Sequence, residues 1–594
     1  MRVAVTQFAT SSSTEESIST CLRNITKAAA CQPTLIVLPM IFNHLGGHQQ
    51  YQKHSKDSVN RHQFIEQLCQ QAVKHQCYIY ISLAESTELQ VWNGVTTDIN
   101  KPPTRQKIHS DQIPSRFCII SPLGKVCSET GSHDKMSTAL THLGFLSGND
   151  STTYGAARHL AKSGVQLICN SIATQYFDQS RYHDPTRALE NNLFIATANT
   201  VGFQKPVKAG LAENEQAINN GDNAINGCGQ SRIISPQGEI LASLNDDEEG
   251  FAYADINVKV QTHPAKPSIT LDSNETIHRL VGLNHKYRPD GTCYRNQVRP
   301  ELYSIEQHTN KQVNQTDITQ SNTASLTPLP ATVNVAIFAT YKVNEQAIDD
   351  VCHYIENNLT DIIQLPELFF VDDKSTMANA SLRSDLSLLS QLCIEKISKV
   401  LRPCQYVCTS LLIDDQHQAV LISNNGVIAL QSQLLPCNRH AWTKLGNGLA
   451  TYNLVLEQGT IKLAMLTADD AFLPETINLA AKQGIHLLLL ALDIQEAGDV
   501  FYSLSSRAAE FNLCIVAASK EKNFSLEQPK KQTIYSKNKD KIQKSTGLIA
   551  NVKLQPGVLP RWQTTQARQF SNKPLVKWQF GKITKAVIHP IFSG

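Results

Sequence analysis

The amino-acid sequence contains one long internal repeat, and this repeat limits the architectures that the chain can adopt. Shifting the first half by 320 positions places a series of residues on identical residues of the second half. Near the start of each half the offset is 327, as expected where loops differ in length. The repeat predicts two diverged copies of one domain. The matched pairs are Asp150 and Asp470, Lys162 and Lys482, Gly164 and Gly484, Arg187 and Arg507, Ala188 and Ala508, Glu190 and Glu510, Asn192 and Asn512, and Leu193 and Leu513.

The length of the chain and one polar stretch agree with two domains. A chain of 594 residues exceeds the size at which a single hydrophobic core keeps growing. From Ser304 to Ala331 the sequence is rich in Gln, Asn, Thr and Ser and has almost no large apolar residue, so it cannot form a core. We predict a first domain at residues 1–303 with a C-terminal extension, a linker at 304–331 and a second domain at 332–594.

Both halves alternate β-branched runs with segments of helical periodicity, which predicts an α/β layered fold. Strands are predicted at Arg2–Gln7, Leu35–Leu38, Cys77–Leu83, Phe117–Ser121, Gly144–Ser147, Val165–Asn170, Phe194–Ala198, Ser231–Ile234, Val333–Ala339 and Asp361–Phe370. Helices are predicted at Glu15–Ala30, Gln63–His75, Thr153–Ser163 and Pro185–Asn192. Tight turns are predicted at Ser121–Gly124 and Ser235–Gly238.

Charge and hydropathy argue against polyanionic partners and membranes. The 54 basic and 52 acidic residues are spread along the chain and give a net charge of +2, so no basic field favours nucleic acid. No apolar run approaches the roughly 18 residues of a membrane span. The N-terminus has a strand pattern instead of a secretion signal. We expect a soluble, cytoplasmic protein that binds neither nucleic acid nor membrane.

Cysteine and histidine spacing gives no sign of a metal centre. The fifteen cysteines form no CxxC pair and no zinc-type cluster, which favours reduced core residues of a cytosolic protein. His133, His142, His183 and His440 lack partners at i, i+4 spacing, so no metal and no other cofactor is expected. The cysteines in apolar strand-like runs are Cys118, Cys169 and Cys514, whereas Cys228 lies in a Gly-Cys-Gly loop.

The order of short motifs in both halves resembles the nitrilase, or carbon-nitrogen hydrolase, superfamily. The resemblance implies two tandem four-layer α-β-β-α sandwich domains. In the first half it rests on Val3–Gln7, Leu35–Pro39, Leu143-Gly144, Arg187–Asn191 and Gly229–Pro236. In the second half it rests on Val335–Ile337, Leu365-Pro366-Glu367, Ala468 to Glu475, Arg507–Glu510 and Val587–Pro590.

The resemblance implies a Glu-Lys-Cys site in which two members are missing or replaced. In such a site a thiolate attacks the substrate carbon, a carboxylate moves protons and an ammonium group stabilises the developing charge. In the first half Gly148 aligns with the cysteine and Met40 with the glutamate. In the second half Ala468 aligns with the cysteine, whereas Glu367 is retained. The family nucleophile is therefore absent from both halves.

The position of the family lysine stays open in both halves. In the first half Lys135 lies too close to Gly148 for the family spacing, and Lys107 lies before the preceding strand. In the second half Ser432 or Gln433 stands where a cation is needed, and Lys444 follows some way after. No lysine is assigned a catalytic role.

Structural roles are predicted for the remaining polar residues. Glu367 is interpreted as a leftover hydrogen-bonding group or, less favourably, as a surviving proton carrier. Asp150 and Asp470 are expected to accept local backbone amides, and Arg187 and Arg507 to pair with a glutamate three residues later or to contact a helix surface. Ser147 and Thr467 directly precede the vacant positions, and strand alternation is expected to point them away from the pocket.

Three functions remain open. A catalytically degenerate protein, or pseudoenzyme, would bind a small molecule or a protein partner. An amidase or nitrilase acting on a non-peptide C–N bond would need an unrecognised or partner-supplied nucleophile. A structural subunit would use the family mode of dimerisation, either between the two halves of one chain as a pseudo-dimer or in a homo-oligomer.

Overall fold

The structure is a computed structural model, and its chain divides into two compact units. The first unit comprises Met1–Asn284 and Pro529–Thr546, and the second comprises His285–Gln528 and Gly547–Gly594. The structure describes residues 1–9, 14–40, 54–84, 115–130, 134–137, 141–173, 179–204, 225–258, 288, 290–292, 297–303, 330, 332–338, 340, 342–371, 380–494, 503–511, 513–519, 523–525, 551–553, 559–561, 575–579 and 585–587.

The first unit combines four helices with fourteen strands over its described residues. The helices are α1 (Thr14–Ala28), α2 (His54–His75), α3 (Tyr154–Lys162) and α4 (Asp184–Asn191). The strands are β1 (Arg2–Gln7), β2 (Leu35–Val37), β3 (Tyr78–Ala84), β4 (Ser115–Ile120), β5 (Val126–Thr130), β6 (Asp134–Ser137), β7 (His142–Ser147), β8 (Leu167–Ser171), β9 (Phe194–Ala198), β10 (Val201–Gln204), β11 (Ile225–Cys228), β12 (Arg232–Ile234), β13 (Ile240–Ser243) and β14 (Gly250–Asp255).

The second unit has the same mixture of elements. Its described helices are α5 (Asn344–Asn357), α6 (Ala380–Val400), α7 (Pro474–Lys482) and α8 (Leu504–Phe511). Its strands are β15 (Thr332–Ile337), β16 (Ile362–Glu367), β17 (Tyr406–Ile413), β18 (Gln416–Ser423), β19 (Gly426–Ser432), β20 (Tyr452–Leu456), β21 (Gly459–Thr467), β22 (Leu487–Ala491), β23 (Cys514–Ala518), β24 (Asn523–Ser525), β25 (Asn551–Lys553), β26 (Leu559–Arg561), β27 (Leu575–Gln579) and β28 (Lys585–Val587).

Two six-stranded sheets form the first unit, in the orders β14-β1-β2-β3-β4-β5 and β13-β12-β9-β8-β7-β6. A hydrophobic cluster joins them, in which the rings of Tyr80 and Phe145 stack with centroids 4.9 Å apart. A second cluster packs α1 and α2 onto the first sheet, and a third packs α3 and α4 onto the other. Burying one face of each helix and both faces of each sheet gives helix, sheet, sheet and helix layers.

The sheets of the second unit follow the same strand order. One sheet has the order β19-β18-β17-β16-β15-β27 and the other β20-β21-β22-β23. Strands β15, β16 and β17 run parallel, as do β21, β22 and β23, whereas the flanking strands are antiparallel. Parallel neighbours place their carboxyl ends at one edge of each sheet, so the turns after β16 and β21 can share a site.

The predicted α/β class is confirmed, and the predicted elements of the first half are present. Strands β1 and β9 have the predicted bounds, and the other ends differ by a few residues, apart from α2, which begins earlier. The turn at Ser121–Gly124 is confirmed by a bond from the Gly124 amide to the Ser121 carbonyl. The predicted strand Asp361–Phe370 was too long, because it ends at Glu367 and Leu368 has a φ of 43°.

Residues 285–303 lie in the second unit, although the sequence analysis counted them with the first domain. The described part of this segment (288, 290–292 and 297–303) is called the strap below. Arg299 of the strap donates to the carbonyls of Leu434 and Gly446 at 2.8 and 2.7 Å. Of the predicted linker 304–331, only residue 330 is among the described residues. The other predicted domain bounds remain predictions.

Two buried ion pairs stabilise equivalent helices of the units. Arg187 lies 3.0 Å from Glu190 on α4, and Arg507 lies 2.9 Å from Glu510 on α8. The predicted structural pairing is confirmed, but these side chains are buried instead of lying on a helix surface. Breaking a buried pair leaves an uncompensated charge.

No helix in the described part of the chain is both long and apolar enough to cross a membrane.

We expect Glu510→Ala to lower the free energy of unfolding by about 3–5 kcal/mol, because it leaves Arg507 buried without its carboxylate. Urea unfolding followed by circular dichroism measures the change. Asp255→Ala is the matched control, since it breaks the Arg2–Asp255 pair, whose side chains are partly exposed, and should have a much smaller effect. Equal losses in the two variants would contradict the structural role of the buried pair.

Candidate functional site

The turn after β21 holds the aligned cysteine position in a strained backbone. Thr467 ends β21, and Ala468 follows with a φ of 51°, in the left-handed region. For a residue with a Cβ atom this conformation costs roughly 1–2 kcal/mol. Such strain concentrates at functional sites, where sharp turns after a strand expose nucleophiles. The second unit therefore has a strained backbone directly after β21, with a methyl group as the side chain at the aligned position.

The first unit places Gly148 at the equivalent point. Strand β7 ends at Ser147, and a 3-10 turn runs from Gly148 to Ser151. Glycine has no side chain, so the position offers no reactive group whatever its neighbours.

Met40 and Glu367 occupy equivalent backbone positions. The Met40 amide donates to the Ile172 carbonyl, and the Glu367 amide donates to the Leu492 carbonyl, both at 3.1 Å. Residues 172 and 492 differ by the repeat offset of 320. Both side chains are buried. The same strand end thus carries a thioether in one unit and a carboxylate in the other.

Glu367 pairs with a histidine that the sequence analysis did not connect to it. His440 Nε2 lies 2.7 Å from Glu367 Oε1, and both side chains are fully buried. His440 follows the strand-to-turn connection after β19, in a short 3-10 turn at Asn438–His440. Its Nδ1 atom is buried and has no hydrogen-bond partner among the described residues.

A second histidine, His417, lies beside this pair. The rings of His417 and His440 have centroids 4.2 Å apart. His417 Nδ1 lies 2.9 Å from Gln433 Oε1, and Gln433 Nε2 donates to the Leu435 carbonyl at 2.6 Å. The carbonyl fixes the orientation of the Gln433 amide, so His417 must donate through Nδ1. Its Nε2 atom therefore carries a lone pair.

Two hydroxyl groups face that lone pair. Ser410 Oγ lies 2.9 Å from His417 Nε2 and accepts the Leu368 amide at 3.1 Å. Thr467 Oγ1 lies 3.4 Å from the same nitrogen. Ser410 is also the register partner of Glu367 across β16 and β17, which explains why the two side chains share this site.

The expectation that Thr467 points away from the pocket is wrong. Its hydroxyl reaches His417, which contacts His440 in the cluster around Glu367. The alternation of side chains along a strand does not apply here, because Ala468 is not in the extended conformation. The side chains of Thr467 and Ala468 therefore need not point to opposite faces. The side chain of Ser147 lies outside the described residues.

Cys437 is a buried free thiol near Glu367, and the sequence analysis overlooked it. Its Sγ atom lies 3.6 Å from Gln433 Nε2. Burial raises the pKa of this thiol, and the carboxylates of Asp469 and Glu367 add to the rise, whereas Arg439 opposes it. The thiolate is the nucleophilic form, so Cys437 is kept in its unreactive form.

An ion network surrounds Arg439 next to the strained turn. Its guanidinium lies 2.9 Å from Asp290 of the strap and 2.9 Å from Asp469. Gln297 of the strap donates to Asp469 at 2.9 Å, and Arg288 lies 3.5 Å from the same carboxylate. The strap is thereby fixed to the residue that follows Ala468.

Asp470 accepts backbone amides, as expected, but from a distant loop. Its two oxygens accept the amides of Leu434 and Leu435 at 2.8 and 2.7 Å. Burial raises the pKa of this carboxyl well above its ordinary value, against the effect of the two amides. The bonds join the strained turn to the loop that carries Gln433.

Other candidates do not join this cluster. Lys135 on β6 and Lys444 are exposed, Ser432 is half-buried, and Lys107 and His133 lie outside the described residues. Gln433 is thus the buried residue at the predicted lysine position. Cys169 lies in the core of the first unit, as expected, and burial raises the pKa of its thiol. Cys228 accepts from Asn199 Nδ2 at 3.2 Å and is buried.

Sequence reasoning therefore missed Ser410, His417 and Cys437 and gave His440 no partner. These residues are far apart along the chain, and spacing rules for helical metal motifs cannot find them. The available signal was polar side chains within apolar strands, as in Thr409-Ser410 of β17 and His417 of β18. Buried polar residues in central strands need partners, so they mark polar sites.

One family description matches the first half of the chain. Residues 2–263 match the family described as carbon-nitrogen hydrolase. No protein with a curated description matches the chain. Among solved structures, an amidase from Nesterenkonia sp. AN1 with acrylamide added at its active-site cysteine is 16% identical, with a TM-score of 0.33, covering 43% of this chain and 93% of that one. The same amidase with butyramide is 17% identical, with a TM-score of 0.33, over 43% of this chain and 90% of that one.

We expect Ala468→Gly to raise the free energy of unfolding by up to about 1 kcal/mol, because glycine adopts the left-handed conformation without a Cβ clash. Urea unfolding monitored by circular dichroism measures it. Ala464→Gly, in the middle of β21, is the control and should be destabilising. A loss of stability at position 468 as large as that at 464 would show that the turn is not strained.

We expect Cys437 to resist alkylation in the folded protein, because its buried thiol stays protonated. Iodoacetamide treatment at mildly alkaline pH, followed by peptide mass spectrometry, compares it with Cys127, which is exposed. Cys127 should be modified in the native state and Cys437 only after unfolding. Rapid native modification of Cys437 would contradict this assignment and revive a thiol mechanism.

Proposed function

Because residues 2–263 match the family described as carbon-nitrogen hydrolase, we propose that the chain is a tandem pair of nitrilase-like sandwich domains that binds a ligand or partner without cleaving C–N bonds through a thiol. The duplication is supported by the repeat offset, by the shared strand order of the sheets and by the buried ion pairs of α4 and α8. Each unit would then carry one copy of the site.

One observation carries the proposal: the strained turn after β21 presents Ala468. A covalent mechanism needs a nucleophile at the point where substrate carbon and proton carrier meet. A methyl group cannot form an acyl intermediate. Loss of the nucleophile from a catalytic unit removes most of the rate, whatever else of the unit remains.

The first unit supports the same proposal, because different family groups are replaced there. Met40 cannot carry a proton and Gly148 cannot attack a carbon, so two of three family groups are replaced there. The second unit keeps Glu367 but has Gln433, a neutral amide, at the buried position predicted for the lysine. A neutral amide supplies less stabilisation to a developing oxyanion than an ammonium group does.

Binding is the role that the second site retains. Six buried polar residues converge there, although most residues of a core of this kind are apolar. Such a cluster is costly to bury unless its groups have partners, and here the residues contact one another, which holds them in fixed orientations for a polar ligand. The residues are Glu367, Ser410, His417, Gln433, His440 and Thr467. A cytoplasmic location, and either a pseudo-dimer within one chain or a homo-oligomer, remain part of the proposal.

A second candidate function is hydrolysis with a serine in place of the thiol. It is favoured by the contact of 2.9 Å between Ser410 Oγ and the lone pair of His417 Nε2, with Gln433 holding the opposite ring nitrogen. A serine hydroxyl activated by a histidine is a known nucleophile. Ser410 is fully buried, however, and its oxygen already accepts the Leu368 amide, which restrains its attack on a substrate.

We expect the native protein to hydrolyse none of a panel of short aliphatic amides, aromatic amides and nitriles. Hydrolysis is measured as the release of ammonia. A fluorophosphonate probe, which labels activated serines, should leave Ser410 unmodified in the same samples. The control variant is Ser410→Ala. Cysteine-dependent turnover would overturn the proposal in favour of a thiol hydrolase, and turnover or labelling lost in Ser410→Ala would establish the serine mechanism.

A further inference from the structure

We propose that Glu367, His417 and His440 form a binding site for a divalent first-row transition metal, with Zn²⁺ as the preferred ion. Each residue offers one ligand atom, and the three atoms lie within 4.8 Å of one another. All three residues are buried. The inference goes beyond the proposed function and does not depend on whether the chain hydrolyses anything.

The donor set has the chemistry of a metal centre. Two imidazoles and one carboxylate bind Zn²⁺ in known proteins, with bonds of about 2.0–2.2 Å. Ligand atoms of a tetrahedral ion lie about 3.3–3.6 Å apart at these bond lengths. The three side chains would therefore need to close by up to about 1.5 Å on binding. The elements that carry them are β16, β18 and the turn after β19.

His417 is already oriented as a ligand. Its Nδ1 atom donates to Gln433, so its Nε2 atom presents a lone pair towards the cluster. Ligating histidines in proteins commonly hold their second ring nitrogen in this way, which fixes the tautomer and the ring direction. Binding would replace one hydrogen bond from Ser410.

The pair of Glu367 and His440 already places two candidate ligand atoms together. His440 Nε2 lies 2.7 Å from Glu367 Oε1, and both side chains are fully buried. A divalent cation bound by these two atoms would take the place of the proton that they share, and that proton would be released to solvent.

The buried charges also favour a cation. Glu367, Asp290, Asp469 and Asp493 contribute four carboxylates around this part of the unit, where Arg288 and Arg439 contribute two guanidinium groups. Burial of unbalanced charge is strongly unfavourable. A doubly charged ion at Glu367 would reduce the excess of carboxylates over guanidinium groups in this part of the unit.

A neighbouring trio, Asp290, Cys437 and Asp469, also has ligand atoms within 4.8 Å of one another. Arg439 already lies between its two carboxylates, with contacts of 2.9 Å to each. A guanidinium at that point excludes a metal ion by charge and by volume. The histidine site is therefore the one that the described residues favour.

The experiment measures metal directly. The full-length protein is stripped with a chelator, dialysed, and titrated with Zn²⁺ by isothermal calorimetry, and Co²⁺ is added as a spectroscopic probe. We expect one ion per chain, a Kd below about 10 µM, and Co²⁺ absorption bands that report nitrogen and oxygen ligands. Bound Zn²⁺ should also raise the Tm, because the ion binds only the folded chain.

His417→Gln and His440→Gln should each weaken Zn²⁺ binding at least 100-fold, and each should remove the Co²⁺ bands. His353→Gln is the matched control, since that histidine lies on α5 and its removal should leave the affinity unchanged. Circular dichroism of each variant checks folding, and Glu367→Gln serves as a second ligand variant if a histidine variant fails to fold. Absence of stoichiometric binding, or binding that the ligand variants leave intact, would overturn the metal site.

Discussion

The contact between Glu367 and His440 is the buried polar interaction around which the polar residues of the second unit are arranged. It places an acid and an imidazole, both fully buried, where two sheets bring the ends of their parallel strands together. Burying these groups is expensive unless each has a partner. The ring of His417 packs against that of His440, and Ser410 and Gln433 in turn contact the two nitrogens of His417.

Much of the architecture was accessible from the sequence, because it depends on periodicity. β-branched runs, helical spacing and the constant offset of the repeat predicted the α/β class and most elements of the first half. Six described strands of the first half were not predicted: β5, β6, β10, β11, β13 and β14. Two of them, β5 and β6, are mostly polar in Val126–Thr130 and Asp134–Ser137. Strands of this kind depend on their neighbours for stability, so local pattern does not reveal them.

The site was accessible only in part. The aligned positions Met40, Gly148, Glu367 and Ala468 follow from motif order, and the equivalent backbone bonds of Met40 and Glu367 agree with that alignment. His417 and His440 come together through sheet pairing over long separations, which spacing rules cannot express. The direction of Thr467 failed for a local reason, since a left-handed residue ends the alternation on which the prediction relied.

The strap has a consequence for the boundaries of the second unit. Asp290, Gln297 and Arg299 precede β15 by some thirty to forty residues in sequence, yet they bind Arg439, Asp469 and the loop at Leu434. A recombinant fragment that begins at the first strand of this unit would leave Arg439 and Asp469 without these partners. Excision of an autonomous second half therefore requires a start point before Arg288, well upstream of the compositional boundary.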